Sequence, residues 1–213
     1  MRKSLSLIAL ALVTGCGGKQ QETPKQPEPS PYLNRPLATP ALAGQKVAVL
    51  PLTLAVPDAA LSEDTLLGVR TRVLPWADSL LGEALQMRAP EVTWVLPPEL
   101  RRASRRAAGL APEPDRLGHA ILRDPTFKIV PDPLRSQLRT LTALVDARYV
   151  LVPASAVFLK EPDGQVKIEM MLVLVDSRTG TPGWHSIASA TDSTPGRAYR
   201  AALANVIRVE GVQ

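Results

Sequence analysis

Four arginines with helical spacing lie near the middle of the chain: Arg101, Arg102, Arg105 and Arg106. Separations of one, three and four residues place them along one side of a helix. Guanidinium groups bind carboxylates and phosphates through paired hydrogen bonds, so this cluster could contact an anionic partner. The alternative is a solvated helix face whose charge is partly neutralised by three acidic residues, Glu99, Glu113 and Asp115. The sequence leaves both interpretations open.

Side chains that could carry catalysis or hold a metal are few. His119 and His185 are the only histidines, and neither has a cysteine or an acidic residue at the spacing of metal ligands. The chain has no Gly-x-Ser-x-Gly motif of the kind that presents a hydrolase nucleophile, and no glycine-rich phosphate-binding loop. We therefore predict a protein that is not an enzyme and that uses no metal or cofactor. A hydrolase is the less favoured alternative.

The single cysteine, Cys16, indicates a different chemistry, the covalent attachment of lipid. It follows a basic start and an apolar run over residues 5–13, the pattern of a secretory signal peptide. That run is about half of the ~20 residues that a membrane span needs. The sequence Val13-Thr14-Gly15-Cys16 resembles the lipobox of bacterial lipoproteins, in which the cysteine is acylated and the signal peptide is cleaved before it. We therefore expect residues 1–15 to be a signal peptide that is removed.

The lipobox resemblance also implies a location and a set of partners. Two or three acyl chains on Cys16 would hold the protein firmly on a membrane. In the lipoprotein sorting pattern, Gly17 after the cysteine implies the outer membrane, with the protein facing the periplasm. The expected partners are that membrane and an unidentified envelope protein, with peptidoglycan or anionic lipid as further candidates.

Composition and charge limit the rest of the chain. Without residues 1–15 the formal net charge falls from +5 to +3, too small for a nucleic-acid-binding surface. Residues 16–44 contain Cys16 and six prolines among polar side chains, so we predict a disordered, partly polyproline II tether there. Residues 45–213 are expected to form one globular domain, large enough to bury a core without disulfides.

Apolar periodicity predicts both strands and helices in that domain. Residues 46–52 and 92–96 are short apolar runs of the kind that form buried strands. Apolar residues at helical spacing predict a helix over residues 75–87, with Pro75 in its first turn. Two further helices are predicted over residues 99–108 and 134–145. A last helix is expected to begin at Pro195, with Thr194 as its N-cap.

The final third predicts a meander of three antiparallel strands. Residues 149–159 and 165–176 flank the turn sequence Glu-Pro-Asp-Gly, and a third strand passes through Trp184. Along residues 165–176 one face is apolar throughout, while the other changes from charged to apolar, which indicates that its far half is buried on both faces. The fold class is therefore α/β (α+β): a mixed β-sheet with a C-terminal three-strand meander and helices packed on it.

Three segments resemble one group of envelope proteins: residues 47–52, residues 147–152, and residues 172–180 followed by Trp184. The group shares the fold of the TolB amino-terminal domain, the curli-secretion lipoprotein CsgG and the penicillin-binding-protein activator LpoB. Three departures from the pattern are Asp146, where these proteins usually have glycine, Pro153, which interrupts the strand over residues 149–159, and residues 97–133, a stretch that is expanded relative to these proteins.

The resemblance implies a non-catalytic, envelope-associated binding or assembly domain. We therefore predict a lipid-anchored interaction or assembly factor that acts in cell-wall or envelope-complex regulation. The alternative is a component of a self-assembling outer-membrane secretion channel of the CsgG kind. Residues 165–176 are the strongest candidate for crossing a membrane, but their two-sided apolar half fits a soluble core better.

Overall fold

A computed structural model describes residues 30–208 of the chain. The predicted signal peptide, Cys16 and the first part of the predicted tether lie outside these described residues. The strands are β1 (Lys46–Val49), β2 (Ala55–Pro57), β3 (Thr93–Val95), β4 (Tyr149–Lys160), β5 (Val166–Asp176) and β6 (Thr181–Asp192). The helices are α1 (Arg70–Arg88), α2 (Pro97–Arg106), α3 (Leu134–Leu144) and α4 (Pro195–Val206).

The strands form one mixed sheet with the order β3-β1-β4-β5-β6. Strand β1 is parallel to both β3 and β4, and the short β2 is parallel to the far half of β4. Strands β4, β5 and β6 follow one another as an antiparallel meander. The predicted mixed sheet with a C-terminal three-strand meander is thereby confirmed.

Strand β4 continues through Pro153, so our expectation of an interruption there was wrong. Proline has no N–H to donate to a neighbouring strand and is normally confined to edges and bulges. Here Pro153 lies between the residues of β4 that pair with β1 and those that pair with β2. The pairing of β4 with β5 also shifts register between Pro153 and Ser155. The proline is therefore accommodated where the ladder is already irregular.

Helices cover both faces of the sheet, and each face has its own core. Val47 and Val49 pack in the core beneath α1 and α4. Ala48 and Leu50 face the opposite way and pack with α2 and α3. This alternation explains why β1 is a continuous apolar run. The far half of β5 is buried on both faces for the same reason, as predicted.

Two helices begin earlier than predicted. Helix α1 begins at Arg70 instead of Pro75, because the buried Val73 extends its apolar side and the N–H of Val73 donates to the Val69 carbonyl. Pro75 therefore lies inside the helix, where its missing N–H removes a single backbone hydrogen bond. Helix α2 begins at Pro97, because proline suits the first turn of a helix.

The folded region also begins before the predicted boundary at residue 44. Residues 32–43, which we call the N-terminal segment, lie against β6 and the end of α4. Its Leu37 and Leu42 are buried. The Trp184 indole Nε1 donates to the Pro36 carbonyl at 2.9 Å, and the Leu37 N–H donates to the Val206 carbonyl. The tether prediction was therefore wrong for this segment.

Candidate interaction site around helix α2

Helix α2 carries the four predicted arginines and is attached to the sheet by its apolar side. Leu100 is completely buried in the core that α2 shares with α3, and Ala103 is buried beside it along the helix. Ser104 is also buried, and its hydroxyl donates to the Pro112 carbonyl at 2.8 Å. These contacts fix the rotation of α2 about its axis and decide which arginines reach solvent.

Arg101 is partly buried, and its guanidinium group is bound by two carboxylates instead of extending freely into solvent. Its Nε donates to Asp115 Oδ2 at 2.9 Å, and its Nη2 donates to Asp115 Oδ1 at 2.7 Å. The same Nη2 donates to Asp78 Oδ2 at 2.9 Å. Arg101 therefore connects α2 to α1 and to the turn at residues 114–116. It differs in environment from the three arginines with which the sequence grouped it.

Asp78 is the second half of this arrangement, and it was not among the site residues predicted from the sequence. Its Oδ1 accepts a hydrogen bond from the Leu52 N–H at 2.8 Å, so both carboxylate oxygens are engaged. Burial raises the pKa of Asp78, while the hydrogen bonds from Leu52 and Arg101 act to lower it. The available signal was an acidic residue beside Ala77 and Leu81, on the apolar side of the predicted helix, since a buried charge requires a partner.

Arg102, Arg105 and Arg106 are exposed along the outer side of α2. None of the three forms an ion pair with another described residue. Asp115, expected to neutralise the cluster, is engaged by Arg101. Glu113 pairs instead with Arg116, at 2.9 Å between Arg116 Nε and Glu113 Oε2. Three guanidinium groups thus remain available to an anionic partner.

A short turn follows α2 and carries the most exposed leucine of the described residues. Leu110 is 87% exposed. Gly109 precedes it with a φ of +83°, a left-handed conformation that glycine adopts without strain. The N–H groups of Leu110 and Ala111 both donate to the Ala107 carbonyl, which closes the turn. Leu110 was not among the residues predicted from the sequence, because an isolated leucine among glycine, alanine and proline has no periodicity.

Two clefts adjoin α2, and Arg101 lines both of them. The larger, of about 310 Å³, lies between α1 and α2 and has Pro75, Leu96 and Pro97 in its walls. Asp78 and Arg101 also line it, but they are bound to each other. The smaller cleft, of about 210 Å³, lies beside Arg105 and Glu113. The Asp78–Arg101 ion pair in the larger cleft therefore has a structural role.

The two histidines lie in separate parts of the structure. His119 is completely buried, and its Nε2 lies 3.1 Å from Thr53 Oγ1. Its Nδ1 has no hydrogen-bond partner among residues 30–208, and burial lowers the pKa of His119 to about 4. His185 is buried on β6, with its ring edge-on to Tyr32 at 6.0 Å between ring centres. Within the described part of the chain, no three His, Cys, Asp or Glu residues are arranged to hold a metal ion.

None of the helices within residues 30–208 combines the length and the apolar character that a membrane crossing requires. Cys16, the predicted lipidation site, lies outside the described residues. Its acylation remains a prediction.

No protein-family model matches the chain, and no curated protein matches it. Three similar solved structures illustrate the fold comparison. The LpoB C-terminal domain from Salmonella enterica is 18% identical with a TM-score of 0.37, over 70% of this chain and 83% of that chain. A PelC dodecamer from Paraburkholderia phytofirmans is 14% identical with a TM-score of 0.36, over 81% and 92%. Lipoprotein GNA1162 from Neisseria meningitidis is 15% identical with a TM-score of 0.33, over 70% and 81%.

Proposed function

We propose that this protein is a lipid-anchored envelope lipoprotein that acts as a non-catalytic interaction or assembly factor in cell-wall or envelope-complex regulation. The observation that carries the proposal is Cys16, the only cysteine, placed directly after Val-Thr-Gly and an apolar run over residues 5–13. Acylation there would attach the chain to the outer membrane from the periplasmic side. Two or three acyl chains give a firm anchor without any membrane-spanning helix.

The arrangement of the domain supports a role in which the anchor and the contact surface are separated. The N-terminal segment joins the domain at β6, which is one edge of the sheet. Helix α2 follows β3 at the other edge and packs against β1. A protein attached through Cys16 would thus present α2 away from the point where the chain enters the domain. That is a suitable position for contacting a partner.

The environments of the described polar residues support a binding role over catalysis. The two buried histidines lie apart, and the Asp78 and Arg101 side chains of the larger cleft are bound to each other. We propose Arg102, Arg105 and Arg106 as the partner-contacting residues, with Arg101 orienting the helix that carries them. An envelope protein, peptidoglycan and anionic lipid all offer the anionic groups that guanidinium binds.

The secretion-channel alternative is not supported. Strand β5 was its strongest candidate for crossing a membrane. The far half of β5 is buried on both faces, by Leu172 on the side of α1 and α4 and by Val173 on the side of α2 and α3. Its apolar residues are therefore already used in the cores of the domain.

The anchor is tested by replacing Cys16 with Ser and fractionating the cells. We expect the native chain to sediment with membranes and to resist carbonate extraction, while the C16S chain becomes soluble. Gln20→Ser, a few residues beyond the lipobox, is the matched control and should stay membrane-bound. A C16S chain that still resists carbonate extraction would overturn the lipoprotein proposal.

The contact surface is tested by incorporating a photoreactive amino acid at Arg106 in intact cells. Met87, which is 70% exposed on α1, is the matched control position. The proposal expects one envelope component to be captured from position 106 and not from position 87. Equal capture from both positions would contradict a role for the exposed side of α2.

A further inference from the structure

An exposed leucine lies one short turn beyond three exposed arginines. We call Arg102, Arg105, Arg106 and Leu110 the basic tip. Scattered exposed leucines are ordinary on protein surfaces and require no explanation. Leu110 differs because it is almost fully exposed on a turn that is closed by hydrogen bonds and follows the last arginine by four residues. The basic tip therefore combines one exposed apolar side chain with three nearby positively charged side chains.

The turn is held in place by α2 itself. The Ala107 N–H donates to the carbonyls of Ala103 and Ser104, and the Ser104 hydroxyl donates to the Pro112 carbonyl. Further along, Asp115 is bound through both oxygens to Arg101. The chain from the end of α2 to the turn at residues 114–116 is thus fastened to the helix at both ends. Leu110 is presented from a defined position relative to the arginines.

We propose that the basic tip binds the surface of an anionic lipid bilayer, with Leu110 inserted among the headgroups and the arginines bound to lipid phosphates. Guanidinium groups recognise phosphate through paired hydrogen bonds, and basic residues beside apolar ones are typical of proteins that bind the membrane interface. Leu110 is a single convex projection that needs no matching pocket in its partner. A continuous anionic plane also accommodates all three arginines at once.

This inference deepens the proposed function, and it rests on that function only for the membrane that the tip would meet. Thirteen residues lie between Cys16 and Ser30, and the fourteen Cα-to-Cα steps that join them span at most about 50 Å when fully extended. The sheet is about 20 Å wide across its five neighbouring strands. A chain anchored at Cys16 could therefore place the basic tip on the membrane that holds the anchor. Tip and anchor would then bind as two linked contacts.

The test uses the full chain with Cys16→Ser, so that acylation plays no part in the result. Because Cys16 is the only cysteine, Leu110→Cys then provides a single site for an environment-sensitive fluorophore. The labelled protein is mixed with vesicles of equal parts phosphatidylglycerol and phosphatidylethanolamine, or with vesicles of phosphatidylcholine alone. We expect a blue-shifted, brighter emission with the anionic vesicles only, and its loss as salt is raised.

Two variants separate the contributions of charge and of the apolar side chain. Arg102, Arg105 and Arg106 changed together to Gln should weaken binding of the labelled chain to anionic vesicles by on the order of a hundredfold. In the unlabelled C16S chain, Leu110→Ser should weaken co-sedimentation with the same vesicles by roughly tenfold. Met87→Cys in the C16S background, carrying the same label on α1, controls for binding through any other part of the chain.

The proposal is overturned if the label at position 110 does not respond to anionic vesicles, or if the label at position 87 responds equally. It is also overturned if the triple arginine variant binds as tightly as its parent. Binding to peptidoglycan sacculi with no response to vesicles would assign the tip to wall carboxylates instead. None of these outcomes bears on the anchor, because Cys16 is absent from every chain in the experiment.

Discussion

Arg101 Nη2 donates to Asp78 Oδ2 at 2.9 Å and joins α2 to α1 across 23 residues of sequence. Asp78 is buried, and Arg101 reaches it while also holding Asp115. The pair explains how a helix with five charged side chains in ten residues can pack closely on the sheet. It also sets the rotation of α2 and so directs Arg102, Arg105 and Arg106 outward.

Replacing Asp78 with Ala should lower the free energy of unfolding by about 3 kcal/mol. The change removes one of the two partners of Arg101 and leaves the buried Leu52 N–H without an acceptor. Urea unfolding at neutral pH measures the effect. Asp115→Ala is the matched control, and because Asp115 is half exposed it should cost about 1 kcal/mol or less. Equal losses in the two variants would contradict the role assigned to Asp78.

At the candidate site, the sequence predicted where the arginines lie but not the environment of each one. Helical spacing placed four arginines near one another, and they do lie on one helix. Spacing alone could not separate Arg101 from the others, because its environment depends on Asp78 from another helix. Leu110 was missed for a related reason. The exposure of Leu110 depends on how the turn folds, and no periodic pattern in the sequence predicts it.

A chain that begins at Gly44 should be much less stable than one that begins at Ser30. The N-terminal segment buries Leu37 and Leu42, and each buried leucine contributes about 1.5–3 kcal/mol. Its removal also leaves the Trp184 indole N–H without the Pro36 carbonyl. We expect the shorter chain to lose at least about 3 kcal/mol, measured by thermal and urea unfolding. Equal midpoints for the two chains would show that the segment contributes nothing.

The position of residue 146 gives a prediction about backbone conformation. Asp146 follows α3 with a φ of +52°, in the left-handed region that glycine occupies most easily. Its side chain is fully exposed, and Asp146 Oδ2 lies 3.7 Å from Lys46 Nζ. We expect Asp146→Gly to be more stable than Asp146→Ala by about 1 kcal/mol, since alanine is strained at this φ. Urea unfolding midpoints in the opposite order would contradict this explanation.

The fold was more predictable than the site, and the reasons are local. Strands β1 and β5 are apolar on both faces where helices cover both faces of the sheet. Their continuous apolar runs therefore predict that these strand segments are buried on both sides. The predicted end of the tether was wrong because the prolines of residues 31–43 were interpreted as a sign of disorder. Proline removes a donor, but its carbonyl still accepts, as Pro36 does from Trp184. Composition could not indicate that this segment has a partner in β6.

The buried histidine predicts how stability depends on pH. Burial lowers the pKa of His119 to about 4, from the value near 6.5 expected in the unfolded chain. The unfolded state therefore binds the proton more readily. The contribution of His119 to stability is present above pH 6.5 or so and is lost as the pH falls towards about 4. The full loss is roughly 3 kcal/mol, and urea unfolding at several pH values across this range measures it.

The matched variant for this prediction is His119→Gln, which does not titrate and can still hydrogen-bond to Thr53 Oγ1. Burial raises the pKa of Asp78, so protonation of Asp78 in the folded state acts in the opposite direction as the pH falls. Burial also lowers the pKa of His185, which adds to the loss. Both contributions are common to the two chains and cancel in their difference. The variant should therefore lose less stability on acidification than the native chain, and equal losses would show that His119 is not the titrating group.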